Sequence, residues 1–207
     1  MPGPRRCAHR KSNGHNKRVF AVINGHPLVP KIAFLTKGTG RHKQRLTSYE
    51  LALRDAKIAQ YNLVTVSSIF PAHCKLVSAT QGLKRLTPGQ IVFVVQARAE
   101  TNEPFRMAAA SIGLAIPKDP SHHGYVSEHH AFGMSNAQAG DYAEDLAASM
   151  LATVLGVPFD PDEAWDERRE QWKLSGEIVK TTNVSCTAKA RNNHQWVTVV
   201  SALVFCG

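Results

Sequence analysis

The sequence predicts a single α+β domain in which β-sheets stack on one another and helices flank them. Three observations carry that reading. Strand and helix patterns alternate along the chain with no internal repeat. One strand pattern, "AASIGLAI" at 109–116, places only Ala109, Ser111, Gly113 and Ala115 on one face, so a second layer can approach it closely. A long helical pattern between Ser135 and Gly156 carries Ala139, Tyr142, Ala143, Leu146, Met150 and Val154 on one stripe, as a helix lying on a sheet does. With 207 residues, 43% of them hydrophobic, the chain can bury one sizeable core.

The elements follow in order. "KIAFLT" (31–36) reads as a strand, and Gly38-Thr39-Gly40 after it as a tight turn, because a phosphate loop needs more glycines and a GK[ST] end. Thr47 and Glu50 have capping-box spacing, which predicts a helix from there to about Ala59. "NLVTVSSIFPAHCK" (62–75) is a strand interrupted by two serines. Pro88-Gly89 turns the chain into the strand "QIVFVVQARA" (90–99), and "YVSEHHAF" (125–132) is a further strand after the small-residue one. Ser135 with Gln138 caps the long helix, and Gly156 with Pro158 beyond it stops it. After an acidic, Trp-containing segment (160–172), "GEIVKTTNVSC" and "WVTVVSALVF" read as a hairpin around Arg191-Asn192-Asn193. The last strand is apolar on both parities and therefore buried on both faces.

Composition excludes several classes. The longest small and apolar run, 107–116, falls well short of the roughly 18 residues that a membrane span needs. The apolar run near the N-terminus, "VFAVI", is too short for a secretory signal, which points to the cytoplasm. Cys7, Cys74, Cys186 and Cys206 lack CxxC spacing, so they read as reduced thiols and not as metal ligands or a disulfide framework. The net charge of +9 is uneven: residues 1–67 hold 13 Lys and Arg against Glu50 and Asp55. Such a balance raises nucleic-acid binding as an alternative function. The stretch "MPGPRRCAHRKSNGHNKR" (1–18) nevertheless lacks aromatics suited to base stacking, and its Pro, Gly, Ser, Asn and charge predict a disordered basic tail, residues 1–28, ahead of a domain at 29–207.

Two hydroxyls in the middle of a strand pattern ask for an explanation. Ser67 and Ser68 can simply bond the backbone where a strand ends. A hydrolase nucleophile is excluded by the lack of a GxSxG elbow. A third chemistry fits: with the Ser67–Ser68 peptide held strained, the Ser68 hydroxyl attacks the preceding carbonyl, the amide becomes an ester, and elimination followed by hydrolysis leaves a pyruvoyl group at a new N-terminus.

"KIAFLTKGTGRHK", "SYELALRDAKIAQYNLVTVSSIFP", "TNEPFRMAAASIGLAIPKD", "GYVSEHHAFG" and "DLAASMLATVLGV", collinear over about 30–207, resemble the pyruvoyl-dependent arginine decarboxylase family. Ala72 and Lys57 stand where the family pattern has Pro and Gly. The resemblance implies self-cleavage between Ser67 and Ser68 into β and α chains, a four-layer αββα sandwich with two closely stacked sheets, and homotrimers with active sites between neighbours. It implies decarboxylation of L-arginine to agmatine through the pyruvoyl made from Ser68, with neither pyridoxal phosphate nor a metal; a pyruvoyl decarboxylase acting on another amino acid is the near alternative.

By the same resemblance Glu128 is the general acid that protonates carbon after CO2 leaves. Strand alternation puts it on one face with His130, and His129 opposite. It ranks above Glu103, whose place before Pro104 suits a loop or strand end. Glu50 is the acceptor for the substrate guanidinium, a role that competes with its capping box. Asn62 assists self-processing by bonding the peptide to be cleaved. Without the resemblance, Asn62 reads as a strand-edge amide on a turn, Glu128 as a solvent-facing strand residue, and the histidine pair as ordinary structural residues.

Overall fold

The computed structural model describes residues 28–156 and 177–206. Over these residues the chain is α+β and mostly strand, with two sheets and three helices. In order the elements are β1 (Ile32–His42), α1 (Arg45–Asp55), β2 (Asn62–Thr65), β3 (Ile69–Phe70), β4 (Lys75–Val77), α2 (Ala79–Leu83), β5 (Ile91–Thr101), β6 (Met107–Pro117), β7 (Gly124–Phe132), α3 (Asn136–Leu155), β8 (Ile178–Lys189) and β9 (Trp196–Cys206). The sequence-predicted acidic segment 160–172, and the predicted tail apart from Leu28, lie outside the described residues.

The first sheet has the order β2-β5-β9-β1-β4 and the second β3-β7-β6-β8. β9 is the centre of the first, antiparallel to both β1 and β5, and is buried from Val197 to Cys206. This matches its apolar character on both parities. The sheets meet through Val95, Ala97, Val199 and Leu203 from one side and Ala110, Ile112, Leu114 and Val126 from the other. Each large aliphatic side chain buried there contributes about 1.5–3 kcal/mol.

α1 and α2 pack with Phe34, Val92, Val94 and Val204 of the first sheet. α3 packs Ala147, Ala148, Leu151 and Ala152 against Ala115 of β6. Arg45 of α1 and Arg98 of β5 both bind the Glu100 carboxylate, tying helix to sheet. Burial alone would push that carboxyl up, but the two arginines outweigh it and hold it below the ordinary range.

Six local expectations are corrected. Gly38 and Gly40 do not turn the chain; they lie inside β1, where added Cβ atoms would meet the Ala52 and Ser48 carbonyl oxygens of α1 at 2.2 and 1.9 Å. Glycine permits the close approach of helix and strand. The Thr47–Glu50 capping box does not form, because α1 starts two residues earlier, after Gln44, and no side chain caps it. It also stops at Asp55, ahead of Lys57 at φ 65°.

The small face of β6 meets α3 instead of the other sheet: a Cβ on Gly113 would sit 2.0 Å from the Ala143 carbonyl oxygen. In α3 the Ser135–Gln138 capping box and the left-handed Gly156 stop are present. The buried stripe, however, is Ala139, Ala143, Ala147 and Leu151, while Tyr142, Leu146 and Val154 are exposed. The larger side chains are displaced because only small ones fit so near a sheet.

Finally, β8 and β9 are not a hairpin. β8 pairs with β6 in the second sheet and β9 with β1 and β5 in the first, so residues 190–195 carry the chain between sheets.

Candidate active site

The serine pair marks another such crossing. β2 pairs in parallel with β5 from Asn62↔Ile91 to Thr65↔Val94 in the first sheet, and β3 pairs with β7 through Ile69↔Tyr125 and Phe70↔Gly124 in the second. Residues 66–68 span the gap. The Val66 N–H donates to the Val94 carbonyl at 2.9 Å, and the Ser68 carbonyl accepts from the Val126 N–H at 2.8 Å. Between these anchors the Ile69 N–H donates to the Ser67 carbonyl at 3.0 Å. Neither serine has a left-handed backbone. Ser67 is exposed and Ser68 half-buried. A groove of about 360 Å³ runs past Ser67, lined also by Leu28, Pro30, Ile69, Phe93 and Phe205.

Glu128 lies on β7, two residues beyond Val126 and so roughly 7 Å further along the strand. Its cross-strand partner is Ile112. The other parity faces α3: the Ser127 hydroxyl donates to the Ala143 carbonyl, and the His129 ring meets Tyr142 with centroids 4.4 Å apart. Glu128 and His130 are therefore on the opposite face, both exposed, as alternation predicts. Burial first, and the neighbouring His130 second, push the His129 imidazole below its ordinary value. Its Nε2 is buried without a hydrogen-bond partner.

The structure does not bring the remaining predicted residues to the serines within one chain. Asn62 is at the far end of β2, about 16 Å from Ser67 at a strand's rise of roughly 3.3 Å per residue. Its side-chain amide donates to the Gly89 carbonyl at 2.7 Å, the strand-edge role that its sequence context allows. Glu50, on α1, lines a separate pocket of about 560 Å³ with Arg54, Lys57, Gln60 and Tyr61, and accepts from the Arg54 Nε at 2.5 Å. With no capping box to satisfy, its carboxylate is engaged, among the described residues, by a surface arginine. Glu103 is exposed between β5 and β6 and takes both of its bonds from Arg106, at 2.7 and 2.6 Å.

Val94, Val126 and Ile69 are the residues that sequence reasoning missed. They act through main-chain N–H and C=O groups, which every residue type except proline supplies, so side-chain chemistry carries no signal for them. Among the described residues no three His, Cys, Asp or Glu side chains converge as metal ligands, and no helix is long and apolar enough to cross a membrane. Cys74, Cys186 and Cys206 are free thiols.

The family model for pyruvoyl-dependent arginine decarboxylase matches residues 32–207. A protein of Chloroherpeton thalassium described as a "Probable pyruvoyl-dependent arginine decarboxylase" is 57% identical over 176 residues, covering 85% of this chain and 97% of its own. The pyruvoyl-dependent arginine decarboxylase of Nitrosopumilus maritimus is 55% identical over 177 residues, covering 86% and 97%. Pyruvoyl-dependent arginine decarboxylase 2 of Methanosarcina acetivorans is 56% identical over 178 residues, with the same coverage. A serine pair at a sheet crossing, an acidic residue on the strand that meets it, and a match over nearly the whole described chain lead to one conclusion: the chain belongs to the pyruvoyl-dependent arginine decarboxylase family.

Proposed function

We propose that this protein decarboxylates L-arginine to agmatine and CO2, using a pyruvoyl group that it makes from Ser68 by cutting its own Ser67–Ser68 bond. The observation that carries the proposal is the placement of that peptide, pinned at both ends between two sheets and open to a groove, with Glu128 on the adjoining strand. The groove falls within the few hundred Å³ typical of small-molecule sites. The residues present fit the group, since Ser68 supplies its carbon skeleton in place. When formed, it supplies a ketone that condenses with the substrate amine and draws off the electron pair left by CO2.

The chain's own residues do the rest. Glu128 holds the proton that carbon receives after CO2 departs, on a strand whose register with β6 fixes its position. The Ser68 carbonyl stays bonded to Val126, which keeps the new terminus beside that strand. The apolar walls of Phe93 and Phe205 exclude water from one side of the groove. Glu50 accepts the guanidinium, and Asn62 supports processing.

Both of these last residues lie away from the groove at Ser67 of their own chain, which supports an assembly in which neighbouring copies complete each site. The sheet edges favour such an assembly too: β2 covers only Ile91–Val94 of β5, and β3 only Gly124 and Tyr125 of β7, so both longer strands leave open edges. A homotrimer of a four-layer αββα domain, residues 29–207, is the arrangement proposed. The test is turnover: purified protein releases CO2 from carboxyl-labelled arginine with matching agmatine, whereas preferred turnover of ornithine or lysine overturns the substrate assignment.

A further inference from the structure

We propose that the main-chain N–H of Ile69 is the donor that activates the Ser67 carbonyl for self-cleavage, an inference that rests on reading Ser67–Ser68 as the cleavage site. The Ile69 N–H reaches back over Ser68 to the Ser67 carbonyl oxygen at 3.0 Å, closing a three-residue turn with Ser68 at its apex. Since Ser68 is not left-handed, the turn is of the inverse γ form, which occurs at strand ends. Its position is set from both sides. Val66 is tied to Val94 of the first sheet, and Ser68, Ile69 and Phe70 are tied to β7 of the second. Because the two sheets share one apolar core, the turn cannot relax without separating them.

The side chain expected to act here is engaged elsewhere. Asn62 donates to the Gly89 carbonyl at the other end of β2, so within the chain it is a backbone group that meets the carbonyl under attack.

The chemistry needs a donor at that atom. The Ser68 Oγ adds to the Ser67 carbonyl carbon, a C–O bond forms, and negative charge collects on the carbonyl oxygen. The Ser67–Ser68 C–N bond then breaks, and the hydroxyl proton ends on the Ser68 nitrogen, leaving an ester. Loss of the Ser68 Cα proton and cleavage of its Cβ–Oγ bond release the Ser67 carboxylate, and water then replaces the nitrogen, which departs as ammonia. The Ile69 N–H points at the oxygen where charge develops in the first of these steps. A preorganised donor in that position is worth about 10²- to 10³-fold in rate.

The experiment replaces the Ile69 amide by an ester, using the hydroxy-acid analogue of isoleucine, in the full-length chain made by cell-free translation. The side chain and backbone shape are kept; the N–H is lost and the Ser68 carbonyl becomes a weaker acceptor, a weakening that the Phe70 ester imposes on the Ile69 carbonyl in turn. The same replacement at Phe70 removes the next N–H of the same short strand. Cleavage is followed over time by denaturing mass spectrometry. The expected result is cleavage slowed about 10²- to 10³-fold by the Ile69 ester and changed no more than a few-fold by the Phe70 ester. Wild-type speed in the Ile69 ester, or equal slowing in both, overturns the proposal. A Ser68→Ala chain that is still cut between 67 and 68 refutes the cleavage reading itself, whatever the esters do.

Discussion

Glu128 shows how a residue's role follows from its neighbours. An exposed glutamate on a strand has no chemistry of its own; the acid role proposed for Glu128 rests on its place on β7, opposite Ile112 and two residues beyond the Val126 that bonds Ser68. Self-cleavage depends on bonds around Ser67 and Ser68, whereas decarboxylation needs a proton delivered later. Glu128→Gln keeps shape and a donor but removes the transferable proton. It should yield both chains while losing about 10² to 10⁴ in turnover, the usual cost of a missing general acid. Agmatine production and the chain pattern of this variant are measured together, and near-normal turnover after full processing moves the search to Glu103. At this scale the facing of side chains along β7 was legible and the main-chain contacts were not. Alternation separated Glu128 and His130 from His129, and two hydroxyls in a strand pattern announced Ser67 and Ser68. The Ile69 and Val126 amides, which hold the peptide, have no residue type to announce them.

Among the elements, glycine and alanine decide how near the layers come. Gly38 and Gly40 admit α1, and Gly113 admits α3 so closely that a methyl there would overlap the Ala143 carbonyl oxygen at 2.0 Å. Backbone cannot swing aside as a flexible side chain can. Gly113→Ala must therefore push α3 off β6, at a cost of about 1–3 kcal/mol. Thermal melting should fall accordingly, and an unchanged midpoint would contradict the close contact. The sequence showed this small face of β6 but not its partner, because a helix and a second sheet make the same demand for small side chains. The same crowding hid the true stripe of α3, where alanines are buried and Tyr142, Leu146 and Val154 are left outside. Caps were legible where a side chain makes them, as at Ser135, and misleading at Thr47, where α1 begins without one.

For the whole molecule, the decisive features are two of the four places where the described chain passes from one sheet to the other, at 66–68 and at 190–195. Sequence reasoning saw strands on both sides of each and took the second for a hairpin, since short-range turn signals cannot tell pairing within a sheet from a crossing between sheets. The first crossing is where the account stands or falls. There the main-chain bonds to Val94 and Val126 hold both ends of the Ser67–Ser68 peptide, and the proposed step is its cleavage by the Ser68 hydroxyl. Denaturing intact-mass measurement of the purified full-length protein tests this most directly. Two species are predicted, residues 1–67 with a free carboxyl end and residues 68–207 lighter by one ammonia than a chain beginning in serine. A single uncut species in protein that turns over arginine, or a cut chain still beginning in intact Ser68, would contradict it.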